Sequence, residues 1–207
     1  MRGMKYIFHS PAFALAGSLF MMPAALAASS GASAPISALD SALISTMKSA
    51  SAGQQFQSRY NALEPVVKQT YDLPEVTKNS VGFLWSTLPA SQQSELIDLF
   101  TQFTVSSYVS QFNGYNGQAL SIVPPAKPLG QKKIVETKLT SSNGGGVEID
   151  YVVAESNNGW KITDVLLNGT ISQVAVHASD FASLVKSGDA SRLISALKTK
   201  IKALQSS

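Results

Sequence analysis

The chain has 207 residues, with 16 basic and 13 acidic side chains, two histidines and no cysteine. Without cysteine there can be no disulfide framework, no thiolate-bound zinc and no cysteine nucleophile. The formal net charge of only +3 argues against general nucleic-acid binding, which depends on many Lys and Arg side chains, and we expect no nucleic-acid partner.

Residues 1–27 have the pattern of a secretory signal peptide. Two basic residues precede a mostly apolar run over residues 6–22, and Ala-Leu-Ala at 25–27 supplies the small residues that signal peptidase requires. The apolar run contains proline and is short for a membrane span, which argues against a retained anchor. Cleavage after this tripeptide is predicted to leave residues 28–207 as a single exported domain.

Four helical segments are predicted in the first half of that domain. The first carries an apolar stripe, and Pro65 predicts a kink or break in the second. Asp72 can cap the third helix, and Pro74 suits its first turn. The longest helix, from Pro89 to about Asn113, has a stripe rich in aromatic residues. Its members are Leu96, Ile97, Phe100, Phe103, Thr104, Tyr108, Val109 and Phe112.

The pattern then changes from helical to extended. Residues 118–123 and 132–139 are predicted strands, separated by a proline-rich turn at 124–128. Residues 146–172 predict a hairpin whose turn contains Asn158-Gly159, a strong hairpin signal. Strands joined by short connections favour an antiparallel meander of four strands.

Two helices close the chain. The first is short, around Phe181, with Val174 and Val176 assigned either to the sheet or to the loop that leaves it. Asp189 is the predicted cap of the last helix. The predicted fold class is therefore α+β, with one four-stranded antiparallel sheet.

The hairpin at 146–172 is interpreted as one wall of an apolar container. Its first strand alternates, with Glu148 and Asp150 on a face expected to be solvated. The opposite face is apolar and consists of Val147, Ile149, Tyr151 and Val153. In the second strand Ile162 and Leu166 share a face with Asp164.

Asp164 is the polar residue with the strongest claim to a role, because an unpaired carboxylate on an apolar face is costly. It could lie near a cavity mouth, it could anchor a loop by accepting hydrogen bonds from N–H groups, or it could be an acid or base in a pocket. The absence of a second catalytic group favours the structural anchor. His177 has no second strong ligand at helical or hairpin spacing, which favours a structural or solvent-facing histidine over a metal ligand. No metal site, no cofactor and no enzymatic activity are expected.

Several motifs in a fixed order resemble the MlaC family of periplasmic lipid carriers, also called toluene-tolerance auxiliary transport proteins. The most specific is Gly-Trp-Lys-Ile-Thr-Asp-Val at 159–165, followed by Asn-Gly-Thr-Ile-Ser at 168–172. Other matching elements are Tyr71-Asp72-Leu73, Trp85 to Pro89 with Phe100, Tyr108 with 115–118, and 187–197. The uncharged stretch 91–94 is more similar to the hopanoid-associated HpnM branch.

This resemblance implies a nuclear-transport-factor-like cone, in which a curved antiparallel sheet and packed helices enclose an apolar pocket. It also implies a periplasmic shuttle for phospholipid or a hopanoid-type lipid. The implied partners are an outer-membrane lipoprotein complex and the substrate-binding component of an inner-membrane ABC transporter. The expected pocket lining is Phe83, Leu84, Trp85, Phe100, Phe103, Tyr108, Val109, Tyr151, Val153, Ile162 and Leu166.

Two alternatives remain open from the sequence. The same cone could be a small-molecule enzyme that uses Asp164. It could also be a non-catalytic adaptor of a transport complex, with its pocket filled by its own side chains, since aromatic stripes at helical spacing are ordinarily core.

Overall fold

A computed structural model describes residues 31–142 and 144–206. The predicted signal peptide lies outside the described residues, so its assignment stays a prediction. Within the described part of the chain, no helix is long and apolar enough to cross a membrane.

Six α-helices and five strands make up the described fold. The helices are α1 (Ala34–Ser51), α2 (Phe56–Thr70), α3 (Leu73–Val81), α4 (Ala90–Gln111), α5 (Gln173–Phe181) and α6 (Ser191–Gln205). The strands are β1 (Ala119–Leu129), β2 (Lys132–Thr140), β3 (Gly146–Ser156), β4 (Gly159–Leu167) and β5 (Ile171–Ser172). A 3-10 helix, Gly82–Thr87, lies between α3 and α4.

The helical starts and stops follow local chemistry. The Asp72 side chain accepts a hydrogen bond from the Glu75 N–H at 3.1 Å, which confirms the predicted cap of α3.

The predicted break in α2 is wrong, because the helix continues through Pro65. Pro65 and Asn61 are both exposed. Water can therefore reach the Asn61 carbonyl that loses its N–H partner.

The sheet is an antiparallel meander in the order β1-β2-β3-β4-β5, with one strand more than predicted. The additional strand, β5, is only two residues long and pairs with the end of β4. The predicted proline turn at 124–128 is instead part of β1, which has an irregularity between Val123 and Lys127. Proline is tolerated there because β1 is an edge strand and a missing N–H breaks no central ladder.

The β3–β4 hairpin turns where the sequence predicted, with Ser156 paired to Gly159. The pairing changes register between Val152 and Val153, because β4 contains an additional residue at this point. A bulge of this kind reverses the alternation of faces beyond it. Val165 and Leu167, beyond the bulge, therefore line the same interior as Tyr151, which pairs with Val165.

The core lies between the helices and the sheet. It includes apolar stripe residues of α1, α2, α4 and α6 together with sheet residues such as Val135, Tyr151 and Ile162. In β3 the burial departs from the predicted alternation, since residues 149–153 are all buried and Val147 is exposed. Helix α5 includes Val174 and Val176, and it begins well before Phe181, around which the sequence predicted a short helix.

Candidate functional site

Four elements surround a half-open cavity of about 210 Å³. Helices α3, α4 and α5 and strand β4 each contribute side chains, because the apolar stripe of α4 lies opposite the residues that follow the β4 bulge. The lining consists of Tyr71, Val76, Phe100, Phe103, Thr104, Ser107, Tyr108, Gln111, Val165, Leu167, Gln173 and His177. We call this the first cavity. Its lining contains no acidic side chain, no Lys and no Arg.

A second cavity, of about 310 Å³, lies between α4, α5 and α6. It is lined by Phe103, His177, Asp180, Phe181, Leu184, Leu193, Ala196, Leu197 and Lys200. Phe103 and His177 therefore contact both cavities. The charged groups of this lining, Asp180 and Lys200, are exposed and lie at the rim.

His177 is packed among phenylalanine rings. It stacks on Phe181 at 5.5 Å between ring centroids, and it meets Phe100 and Phe103 edge-on at 5.4 Å and 5.7 Å. Burial lowers the pKa of His177, which favours the neutral imidazole in these apolar surroundings. The prediction of a structural or solvent-facing His177 thus overlooked its position in a cavity wall.

Two of the residues that line the first cavity are tyrosines. Tyr71 and Tyr108 are joined by a short hydrogen bond between their hydroxyl groups. Tyr151 lies close to Tyr108 in the core. Burial raises the pKa of Tyr108 to about 12, and it raises the pKa of Tyr71 well above its ordinary value. These phenols stay neutral at physiological pH and supply polarity without charge.

A buried carboxyl group adjoins this tyrosine cluster. Asp40 of α1 is only 7% exposed, and its Oδ1 has no hydrogen-bond partner among the described residues. Burial raises the pKa of Asp40 to about 7, and its charge acts on Tyr108 and Tyr151. The sequence did contain a signal, because Asp40 falls on the apolar stripe of α1, four residues after Ile36.

Asp164 lies at the junction of β4, β5 and α5. Its Oδ1 accepts hydrogen bonds from the N–H groups of Val165 at 2.7 Å and Val174 at 3.1 Å. Its Oδ2 accepts a bond from the Ser172 hydroxyl at 2.5 Å, and Ser172 Oγ in turn accepts from the Ala175 N–H at 3.0 Å. These hydrogen bonds connect β4 to the start of α5 through one carboxylate, and the anchor role of Asp164 stays a prediction.

The predicted pocket residues fall into three groups. Phe100, Phe103 and Tyr108 line the first cavity. The fully buried Val109, Tyr151, Val153 and Ile162 belong to the core and line neither cavity. The remaining residues also line neither cavity: Leu84, Trp85 and Leu166 are half-buried, and Phe83 is 90% exposed.

Several lining residues were absent from the sequence prediction. Val165 and Leu167 were missed because the bulge in β4 exchanges its faces, which simple alternation does not reveal. Gln173 and His177 were missed because α5 was expected to begin later. The hydroxyl residues of α4, Thr104 and Ser107, show that the cavity-facing side of this helix is not wholly apolar.

The expectation of a solvated acidic face on β3 holds for Glu148 only. Asp150 is 3% exposed and accepts a hydrogen bond from the Thr137 N–H at 3.3 Å. The β4–β5 turn covers it, since a side chain at Gly169 would meet Asp150 and Glu148. Carboxylate oxygens of Glu136, Glu148 and Asp150 lie within 4.8 Å of one another, and Glu136 is paired with Lys127.

Helices packed on one antiparallel meander define an α+β protein, with two adjoining cavities among its packed elements. Residues 38–199 match the family model described as MlaC protein, and the chain belongs to the MlaC family. This confirms the family resemblance seen in the motifs.

Two similar proteins carry informative descriptions. The toluene tolerance protein ttg2D of Pseudomonas putida is 22% identical over 111 residues, which are 53% of this chain and 52% of that protein. The chain thus aligns with about half the length of this curated relative. A phospholipid-binding protein from Ralstonia solanacearum, solved in complex with a phospholipid, is 22% identical with a TM-score of 0.71. That match covers 84% of this chain and 98% of the other.

The first prediction from this geometry concerns pH. Because the folded-state pKa of Asp40, about 7, lies above the ordinary value of 3.8, the folded protein binds more protons than the unfolded chain between these values. The contribution of Asp40 to stability therefore falls as pH rises from about 4 to about 7. The Asp40→Asn side chain does not ionise, so the variant does not lose stability in this way. The free energy of unfolding of Asp40→Asn, relative to that of wild type, should therefore rise by roughly 4 kcal/mol across the interval.

Urea unfolding at pH 4.5, 6 and 8 measures the difference. Asp98→Asn, at an exposed position of α4, is the matched control and should show no such trend. A wild-type-to-variant difference that is the same at all three pH values contradicts a neutral, buried Asp40.

The second prediction concerns the anchor. Asp164→Asn keeps the shape of the side chain but turns an amide NH₂ toward donors that need an acceptor. We expect a loss of about 1–3 kcal/mol in the free energy of unfolding. Ser172→Ala, which removes one of the three bonds, should lose less. Equal stability of Asp164→Asn and wild type in urea titrations would exclude the anchor.

Proposed function

We propose that this protein binds a lipid by its acyl chains in its interior, with the first cavity as the main site, and carries it through the periplasm. The observation that supports this most directly is the apolar first cavity, whose lining contains neither a carboxylate nor a Lys or Arg side chain. Membership of the MlaC family and the phospholipid in the similar Ralstonia structure support the same cargo class.

The energetics favour acyl chains as the bound part. Each methylene group removed from water contributes about 0.8 kcal/mol, so a long chain needs no strong polar contact to be retained. The first cavity, at about 210 Å³, is smaller than the roughly 300–1,000 Å³ of typical ligand sites. Cargo binding therefore requires half-buried side chains of the cavity lining, such as Phe103, to move outward.

The polar groups at this cavity suit a loosely recognised head group. Thr104, Ser107, Gln111 and Gln173 offer neutral hydroxyl and amide groups. Neutral donors and acceptors can bind either a phosphate or a hydroxyl, so they do not select a head group by its net charge. The proposed cargo is accordingly defined by its apolar part, with phospholipid as the first candidate and a hopanoid-type lipid as the second.

The proposed setting is transfer between the two membranes of the cell envelope. The signal-peptide pattern of residues 1–27 supports export, and the motif order supports the shuttle role of the MlaC family. The partners proposed on this basis are an outer-membrane lipoprotein complex and the substrate-binding component of an inner-membrane ABC transporter.

Native lipid analysis tests the proposal. Protein purified from the periplasm without detergent should contain bound lipid in near-stoichiometric amount by mass spectrometry, and delipidated protein should take up lipid from vesicles. Phospholipid or hopanoid in the extract identifies the cargo. A lipid-free protein that also takes up nothing from vesicles of either composition refutes the carrier function.

A matched pair of variants tests whether the cargo binds in the first cavity. Ser107→Trp fills the first cavity and should reduce vesicle uptake at least about tenfold, since losing contact with two methylenes already corresponds to that factor. Ser94→Trp puts the same side chain at an exposed position of α4 and should leave uptake unchanged. Equal uptake by both variants contradicts binding in the first cavity.

A further inference from the structure

A groove of about 240 Å³ lies between α1 and α2. Its lining shares no residue with the first or the second cavity, so it is a separate site. On each helix the lining residues are spaced at i, i+3, i+4 and i+7, which places them on one stripe of that helix. They are Ala42, Ser45, Thr46 and Ser49 of α1 and Arg59, Ala62, Leu63 and Val66 of α2.

Arg59 is the charged residue of this lining, and its charge has no counter-ion in the described part of the chain. The residue is 9% exposed, and no described Asp or Glu lies within ion-pair distance of it. Glu64, the nearest acidic residue along the chain, is paired with Lys68 at 2.8 Å. A cation shielded from water is costly unless an anion compensates it.

The neighbours of Arg59 compensate the charge only in part. Its Nη1 donates to the Val109 carbonyl at 2.9 Å in the last turn of α4, where a positive charge is favourable. The Phe56 ring lies 5.9 Å from its Cζ. Its Nε has no hydrogen-bond partner among the described residues. Contact with α4 therefore accounts for one end of the guanidinium and leaves the rest without an acceptor.

The two ends of the groove differ in polarity. Helices α1 and α2 are joined by four residues, 52–55, and pack side by side, so they run in opposite directions. Ser49 and Arg59 consequently lie at the end near this connection, with Ser45 one turn further along α1. Ala42 and Val66 lie at the far end, which is apolar. From Ala42 to Ser49 the stripe covers seven residue steps, or about 10 Å.

From this arrangement we propose that the groove binds a small organic acid, with its carboxylate at Arg59 and its apolar chain extending toward Ala42 and Val66. A carboxylate supplies the missing negative charge and accepts charge-assisted hydrogen bonds, and Ser45 and Ser49 offer further hydroxyl donors. A groove about 10 Å long suits a chain of roughly six to eight carbons. This site is additional to the proposed lipid carriage and does not depend on it.

Three probes separate the charge from the chain. Octanoate has both, 1-octanol has the chain without the charge, and inorganic phosphate has the charge without the chain. Isothermal titration calorimetry with the delipidated protein should give an affinity for octanoate at least about tenfold higher than for either other probe. Equal affinities for octanoate and 1-octanol overturn the role of Arg59. Phosphate binding as tight as octanoate binding overturns the apolar part of the site.

A matched pair of variants locates the octanoate. Ser45→Phe fills the groove from an exposed position of α1 and leaves the bond between Arg59 and Val109 in place. It should weaken octanoate binding at least about tenfold, since losing contact with two methylenes already corresponds to that factor. Ser58→Phe, at an exposed position of α2 outside the lining, should bind octanoate as wild type does. Wild-type affinity in Ser45→Phe overturns the site.

Arg59→Gln tests the charge itself. The variant keeps an amide NH₂ that can donate to the Val109 carbonyl but has no positive charge. It should lose the preference for octanoate over 1-octanol and keep its affinity for 1-octanol within about threefold of wild type. An unchanged preference overturns the assignment of Arg59. If circular dichroism shows that Arg59→Gln is unfolded, Ser45→Phe and the wild-type preference for octanoate over 1-octanol still decide the proposal.

The same variants distinguish this site from the proposed lipid site. Ser45→Phe should take up phospholipid from vesicles as wild type does, because the groove and the first cavity share no lining residue. Ser107→Trp, whose first cavity is filled, should lose vesicle uptake and still bind octanoate. Loss of octanoate binding in Ser107→Trp contradicts a separate groove site. Vesicle uptake that is absent from wild type, with octanoate binding intact, refutes the lipid carrier and not the groove.

Discussion

The hydrogen bonds to Asp164 are the constraint on which the interior depends. This carboxylate joins β4 to the first turn of α5, through the Val174 N–H and the Ser172 hydroxyl. Its negative charge also lies at the helix end whose N–H groups have no partner within the helix, which is electrostatically favourable. The orientation of α5 follows from this junction, and with it the position of His177 against Phe100.

The proposed lipid-binding role requires part of the interior to stay unpacked. Here the unpacked region lies between α4, α5 and the end of β4, whereas other sheet positions, such as Val135 and Ile162, are fully buried. The tyrosine hydroxyls and Asp40 add buried polarity next to the first cavity. Such groups weaken the fold unless they are paired or neutral, and the raised pKa of Asp40 keeps it neutral over much of the acidic range.

Features set by neighbouring residues were predictable from the sequence. The cap of α3 by Asp72, the hairpin turn before Gly159 and the stripe of α4 all depend on short-range geometry. Features set by distant residues were not. Exposed Phe83 resembles a core aromatic in the sequence, and the bulge in β4 exchanges the faces that alternation assigns. The position of His177 in the cavity lining likewise depends on contacts between α5 and strand β4.

The sequence by itself therefore determined the α+β class, the antiparallel meander and the MlaC family. Periodicity, turn residues and the order of motifs can all be read along the chain without knowing which distant residues meet. Only the tertiary structure decided which apolar residues fill the core and which surround a cavity. That choice depends on how closely α4, α5 and α6 approach the sheet and one another. Hydrophobicity is the same for Val109, which is fully packed, and for Val165, which lines the first cavity.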